Sequence, residues 1–585
     1  MSHPIRHCRE SGLPRRRQAG AIAVLAAVWI GLAVVALAAL DVGNVFLARR
    51  QLQRTADMAA IAGAQTVSTA TGCAGATAAA QGSAARNGLP ATGASLNLTC
   101  GRWDPSVNPG QSYFSASGTP VNAVQVKLSQ NIPYFYLGPA RLVQAQATAQ
   151  ATNVGVFSLT TTLASVSPAL LNGLLNGLLN TNLNLSVASY QGLAQAQIKL
   201  QDLSTALGVG TMNQLLTTQV GVGQLATAMI SALSKSGTAT GSVITDLGTI
   251  AAAVPGGQKI ALGNTATQNG LLSIGLADPQ AAASASINAL DALLVAAEIA
   301  RGNSAINLGL GINLGPLVTL TAQAKVIEPP VIAVGEAGRY PNGTWRTSAH
   351  SAQVRVFLNV ALLNGINLVG LANLSALNLP IYIEAGQGTA YLQSTRCTAQ
   401  KATSQSVVVA QPGIAALCVG ADAATNFANI TGPTTCSKPA TITTASVLFS
   451  LLGLVNISVG SASPPSGLNL SLQAAAPTTF VFNGVAGDSD DYQSTNTNGV
   501  GGATAGVLTQ LVTALPGSLH ATLLGGLDVT SLLSAVLSGL VGVLNPILTT
   551  LDAALVPLLQ LLGVQIGIST VHDSTLLCSQ AQLVY

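Results

Sequence analysis

Residues 19–67 read AGAIAVLAAVWIGLAVVALAALDVGNVFLARRQLQRTADMAAIAGAQTV, with no proline and many strong helix formers. The first part, Ala19–Leu40, carries no charge. At 1.5 Å per residue a helix of that length covers roughly 30 Å of hydrocarbon, enough to cross a bilayer. Arg15, Arg16 and Arg17 stand directly before it. The positive-inside rule therefore keeps the N-terminus in the cytoplasm and sends the following chain across. Ala36-Leu37-Ala38 offers the small residues of a signal-peptide cleavage site. The apolar run is long for a signal peptide, however, and the helical pattern continues through that point. One unbroken helix from residue 20 to 67, about 70 Å long, is the expectation, its lower half in the membrane and its upper half outside.

The rest of the composition fits an exported chain. Only 7% of residues are charged and 4% aromatic, far from the roughly one-quarter charge of soluble domains. Half the chain is apolar, so it is not disordered in the usual low-hydrophobicity, high-charge way. Eight of the 23 Lys and Arg fall within the first 54 residues; beyond them acids outnumber cations 17 to 15. Nucleic-acid binding, which needs clustered cations, is not expected.

After the helix, Ala74–Arg86 reads as a short Ala-rich helix ending near Gly88. ASLNLTC (94–100), VNAVQVKLS (121–129) and LVQAQATAQATN (142–153) follow. The last two alternate with period two, as strands with one buried face do. A long helix leading into an antiparallel sheet is a pilin-like plan.

Several motifs in this region carry a resemblance: the Gly-Ala-Ile-Ala start at Gly20, Asp41 near the outer boundary, LARRQLQ at 47–53 and TADMAAIA at 55–62. Together with the basic residues before them, they resemble the N-terminal segment of the TadG-like (TadE/TadG-like) proteins of the Flp-pilus, or tight-adherence, machinery. The terminal run LLGVQIGISTVHDSTLLCSQAQLV (561–584) is similar to the C-terminal domain of many such proteins. The resemblance implies a role in building or anchoring an adhesive pilus, with the inner membrane and other pilin-like or Tad secretion subunits as partners. It implies no catalytic activity, cofactor or small-molecule substrate. The fifth residue after Gly20 is Leu25, where a processed prepilin carries Glu, which argues against maturation as a major pilin.

Asp41, Gly43 and Asp57 are the candidates for helix assembly. Gly31, Gly43, Ala27, Ala38, Ala48, Ala56 and Ala60 leave the helix thin enough for another to approach closely. Asp41 either marks the end of the span and is solvated, or pairs with a cationic group on another subunit.

Beyond residue 154 the chain turns to Leu-Asn-Gly runs at 170–187, 306–315 and 362–386, which suggest strands and turns. Between them, residues 189–301 read as a helical insertion whose last helix has Asp278 as N-cap, Pro279 at its first position and Gly302 beyond its end. Residues 529–551 form a second uncharged run. Its glycines, Asn545-Pro546 and acidic flanks favour a pair of buried or partner-binding helices over a second span.

Cys8 precedes the anchor; Cys73, Cys100, Cys397, Cys418, Cys436 and Cys578 follow it. Six exported cysteines suit three disulfides and allow 15 connectivities. Proximity favours Cys73 with Cys100 and Cys397 with Cys418, leaving Cys436 with Cys578. No C-x-x-C occurs, which argues against zinc and thioredoxin-type chemistry. His350, His520 and His572 lack metal-ligand spacing and read as surface residues, and the adjacent His572, Asp573 and Ser574 cannot form a relayed triad. Asp488, Asp490 and Asp491 fail the EF-hand pattern and read as a solvated acidic turn.

The expected fold is α+β. A cytoplasmic basic segment (1–18) and a transmembrane helix (19–40) lead to a helix extension with a pilin-like α/β region (41–155). A β-rich ectodomain (156–480) holds the helical insertion, and an apolar helical region (481–585) ends in a strand. The expected function is a non-enzymatic, membrane-anchored component of Flp pilus assembly or anchoring. The alternative is a cell-surface adhesin or structural surface protein exported by a signal peptide.

Overall fold

The computed structural model describes residues 19–584 apart from 68–71, 109–111, 137, 160–167, 238–240, 255–258, 309–317, 363–366, 369–371, 375–376, 430–433, 448–453, 463, 473–475, 495–506, 524–527, 563 and 565–568. The basic segment 1–18 with Cys8, most of the run 306–315 and part of 362–386 lie outside the described residues.

Helix α1 runs unbroken over Ala19–Val67. Its lower half is bare, whereas Leu52, Ala56, Ala59, Ala60, Ala64 and Val67, which share one face at helical spacing, are buried. Helix α2 (Gly72–Arg86) packs Ala76, Ala80 and Ala84 against that face. Only small side chains fit there. A Cβ at Gly63 would lie 3.1 Å from Leu98 Cδ1 and 3.3 Å from the Ala76 carbonyl oxygen. Polar tethers add to the contact, with Ser83 Oγ donating to Met58 O at 3.1 Å and Thr55 Oγ1 to Asn87 O at 3.1 Å.

The sheet beneath is antiparallel: β1 (Ala94–Trp103), the short β2 (Phe114–Ser115), β3 (Ala123–Ile132) and β4 (Arg141–Leu159). Leu98 pairs with Val126 and Val126 with Ala147, so the alternating apolar face meets α1. β4 runs on through residue 155, where the composition changes. Beyond β3 it pairs with Ile332–Gly335 of the body, Phe157 opposite Ala333. Along its other edge lies the terminal strand Thr570–Val584, with Val584 opposite Thr148 and Val571 opposite Leu159. One strand is thus shared by the pilin-like region, the body and the C-terminus.

The body is β-rich. A six-stranded antiparallel sheet (306–307, 318–328, 353–362, 377–385, 415–419, 468–472) lies beside four- and five-stranded ones. The run 170–187 corrects the expected strand. Pro168–Leu179 is helix α3, because Leu171, Leu174, Leu175, Leu178 and Leu179 follow the helical period and all are buried. Its asparagines hold the extended chain that follows: Asn172 Nδ2 donates to Leu185 O and Leu185 N to Asn172 Oδ1, at 2.9 and 2.8 Å.

The stretch 189–301 is not purely helical either. Strands Gln219–Gly221, Lys259–Gly263 and Gly270–Gly275 join the large sheet that holds β4. Its expected last helix is broken in two. Asp278 caps only a 3-10 turn, Pro279–Ser284; the strand Ser286–Asn288 then pairs with Gln197–Lys199, and Asn288 starts a fresh helix, Ala289–Arg301, by accepting from the Leu290 and Asp291 amides. Gly302 does end it, at φ +57°.

The apolar run at 529–551 lies mostly within the helix Ser534–Leu561, which packs against Val507–Ser518. Leu540, Leu544, Leu548, Leu551 and Leu555 are buried in the main core. Asp552 is 7% exposed and accepts from the Leu508 amide at 3.2 Å.

Three disulfides cross-link the chain, pairing Cys73 with Cys100, Cys397 with Cys578 and Cys418 with Cys436. The expected Cys397–Cys418 and Cys436–Cys578 pairs are therefore wrong. The terminal strand returns to the body beside Gln405–Gln411, the strand paired with Thr389–Arg396, so Cys397 meets a residue 181 positions away instead of its near neighbour.

Candidate functional site at the membrane boundary

The uncharged stretch of α1 ends at Asp41, and the structure places this carboxylate against its own chain. Asp41 is 2% exposed. Its Oδ1 accepts the Phe135 amide at 2.7 Å and its Oδ2 the Tyr136 amide at 3.2 Å. It is neither solvated nor presented outward. Two backbone N–H groups satisfy the charge, and the loop between β3 and β4 is pinned across the helix. Phe135 and Tyr136 themselves are exposed, as are Val42, Phe46 and Leu47 of the helix. Gly43 faces open space, where an added Cβ meets no atom within 4 Å, and Gly31 does likewise. Asp57 is half-buried further up. Gln53 Nε2 donates both to Asp57 Oδ1 at 2.8 Å and to the β4 backbone at Gln146, 3.0 Å, so this pair tethers helix to sheet. Of the three candidates, Asp41 is buried, Asp57 half-buried and Gly43 exposed.

Substituting Asp41 by Leu leaves two amides without acceptors, at a cost of about 1–3 kcal/mol each if they stay buried. The expected result is loss of hydrogen-exchange protection at Phe135 and Tyr136, with protection of α1 beyond Leu52 unchanged. Undiminished protection at those two amides would show that Asp41 does not hold the loop.

Residues 20–66 match a family model described as Flp pilus-assembly TadE/G-like, and residues 62–152 one described as Tad-like Flp pilus-assembly. Over residues 20–152 the chain carries the domains of a TadE/G-like Flp pilus-assembly protein. The two matches meet on α1 and together cover the helix, α2 and the sheet through most of β4. A third, over 167–298, is described only as a domain of unknown function. No curated protein and no solved structure matches the chain. Family and apolar helix together make this a membrane-anchored pilus-assembly component.

In this TadE/G-like chain a second polar cluster, which sequence reasoning missed, joins the Tad-like sheet to the body. Arg102 on β1 is 2% exposed and pairs with Asp104 at 2.9 Å and with Glu336. Arg346 closes the ring, 3.2 Å from both carboxylates. Burial alone would raise the Asp104 carboxyl. Hydrogen bonds from the Ser106 hydroxyl and Arg102 outweigh it and hold it below the ordinary carboxylate range. No spacing links residues so far apart. The only signal is scarcity: in a chain with 7% charged residues, a charge beside an apolar strand is worth suspecting.

His572 corrects the surface reading. It is 1% exposed, with Nδ1 2.7 Å from Asp291 Oδ2, and its ring stacks on Tyr492 at 4.0 Å. Ser158 Oγ donates to the same Asp291 oxygen at 2.9 Å. Serine and imidazole thus both bond the carboxylate, which is not the relay order that activates a nucleophile. Asp573 is buried beside them, accepts from Ser406 Oγ at 2.8 Å, and burial pushes its carboxyl up to about 7. A cavity of about 340 Å³ next to His572 is lined by Tyr190, Gln191, Asp488, Asp491 and Tyr492. Asp488, Asp490 and Asp491 converge with ligand oxygens within 4.8 Å of one another, the one cluster among the described residues able to surround a hard cation. Burial and the neighbouring Asp488 push Asp490 up to about 6.

Proposed function

We propose that this chain is a non-enzymatic, single-pass inner-membrane component that assembles or anchors the Flp pilus, with its N-terminus cytoplasmic and its body periplasmic or extracellular. The observation that supports this is the continuity of α1. The same helix that is bare and apolar over Ala19–Leu40 is, from Leu52 onward, the packed backbone of a pilin-like sheet. A pilin-like unit is thereby tethered in the membrane and carries a large body on its shared strand β4. Leu25 at the fifth position after Gly20 favours retention of the N-terminus over prepilin processing. Small subunits of the same helical plan would approach along the bare face at Gly31 and Gly43, where no described residue lies within 4 Å of an added Cβ.

Alkaline phosphatase fused after Tyr585 is expected to be active, and intact protein to retain residues 1–18. Gly43→Leu is expected to abolish surface pili and adherence at unchanged abundance, since the added side chain meets only open space within its own chain. An inactive fusion overturns the topology. A mature N-terminus at Ala39 supports an exported surface protein instead, and normal piliation of Gly43→Leu removes the helix from assembly.

A further inference from the structure

With Asp41 covered by the β3–β4 loop, the outer surface of α1 carries no charge from Ala19 to Ala48. That is about 45 Å of helix, close to the thickness of a bilayer with both headgroup layers. Arg49 stands where this surface ends. Helical side chains lean toward the N-terminus, so the guanidinium of Arg49 leans back into the headgroup layer. There it lines a groove of about 250 Å³ between α1 and the start of β4. Val42, Val45 and Phe46, on the same face of the helix, form its apolar wall, and Tyr134 and Arg141 close the other side. Among the described residues neither Arg49 nor Arg141 makes an ion pair or side-chain hydrogen bond.

We propose that this groove binds one anionic phospholipid of the outward leaflet, its phosphate between Arg49 and Arg141 and the upper part of an acyl chain along Val42, Val45 and Phe46. The proposal rests on the membrane-anchored reading of α1. Three observations select a lipid as the occupant. Two unpaired guanidiniums converge on one small volume, and their planar forks match phosphate oxygens. The apolar wall points down the helix toward the hydrocarbon. The groove also continues the bare surface that the bilayer already covers. Pinning the loop through Asp41 holds the neighbouring Tyr134 opposite the helix, and the β3–β4 ladder holds Arg141, paired with Ile132.

The test uses the full chain in nanodiscs of phosphatidylcholine with a minor fraction of phosphatidylglycerol, reading the lipids that stay bound by native mass spectrometry. Phosphatidylglycerol is expected to be retained in preference to phosphatidylcholine. At about 1 kcal/mol per basic residue near an anionic surface, Arg49→Gln and Arg141→Gln should each lower the preference about five-fold, and together about thirty-fold. Arg50→Gln, which removes a charge at the same depth outside the groove, should leave it within about two-fold, whereas Val45→Trp should fill the groove and lower retention with all charges present. Inorganic phosphate should not displace the lipid; displacement would mean that the arginines hold free phosphate. A preference that survives the double substitution, or that falls equally with Arg50→Gln, overturns the proposal. So does a photo-crosslinker at Val45 that captures another protein's helix in cells. Failure of every variant to enter neutral nanodiscs would count against the anchor itself.

Discussion

Arg102→Met is expected to cost about 3–5 kcal/mol of folding stability, the usual loss when one partner of a buried ion pair is removed. The substitution leaves Asp104 and Glu336 buried with only Arg346 between them. Unfolding in denaturant, followed by fluorescence of the neighbouring Trp103, would measure it. Adding Glu336→Gln to the same chain restores charge balance and should recover part of the loss. Asp104 gives the pH dependence. Its carboxyl lies lower in the folded protein than the ordinary value, so its contribution is complete above about pH 4. That contribution disappears as pH falls through the folded value. A loss below about 1 kcal/mol would mean that the ring adds nothing beyond a surface pair.

The second large effect belongs to the Cys397–Cys578 bridge. Closing a loop of 181 residues removes far more freedom from the unfolded chain than closing the 18-residue separation of Cys418 and Cys436. On a chain-entropy estimate the double substitution Cys397→Ser, Cys578→Ser should cost on the order of 5 kcal/mol, and Cys418→Ser, Cys436→Ser about 3. Thermal unfolding of both variants under identical conditions would compare them. Limited proteolysis should cut the first variant within the terminal strand and spare it in the second. Equal losses for the two would rule out loop length as the origin of the stabilisation.

Local pattern made some of the fold readable and hid the rest. α1 was legible because an uncharged run, a proline-free extension and flanking arginines all agree, and because its Ala-rich upper half leaves one packing solution. β3 and β4 were legible because period-two alternation survives wherever one face is buried. Pro168–Leu179 was not, since LLNGLLNGLL satisfies a strand-and-turn template and a helical one at once; only burial of Leu171, Leu174, Leu175 and Leu178 decides between them. Asp41 was visible as a boundary residue, but its acceptor role depends on two amides more than 90 positions later. The Arg102 ring, the Asp291–His572 contact and the Cys397–Cys578 bridge share that cause. Each joins segments whose meeting is set by the sheet, and no spacing records it.

β4 finds its last neighbour only when Thr570–Val584 arrives, and Ala581 and Leu583 of that strand also pack against the cluster around α1. Two elements more than 400 residues apart along the chain therefore complete one another. Synthesis makes the helix and β4 before the body, and the whole of 160–569 must follow before that edge is occupied. A chain that stalls short of Thr570 keeps an open strand edge beside the membrane, the kind of surface that recruits other strands indiscriminately. Arrival of Thr570–Val584 is thus the event that makes the pilin-like surface whole.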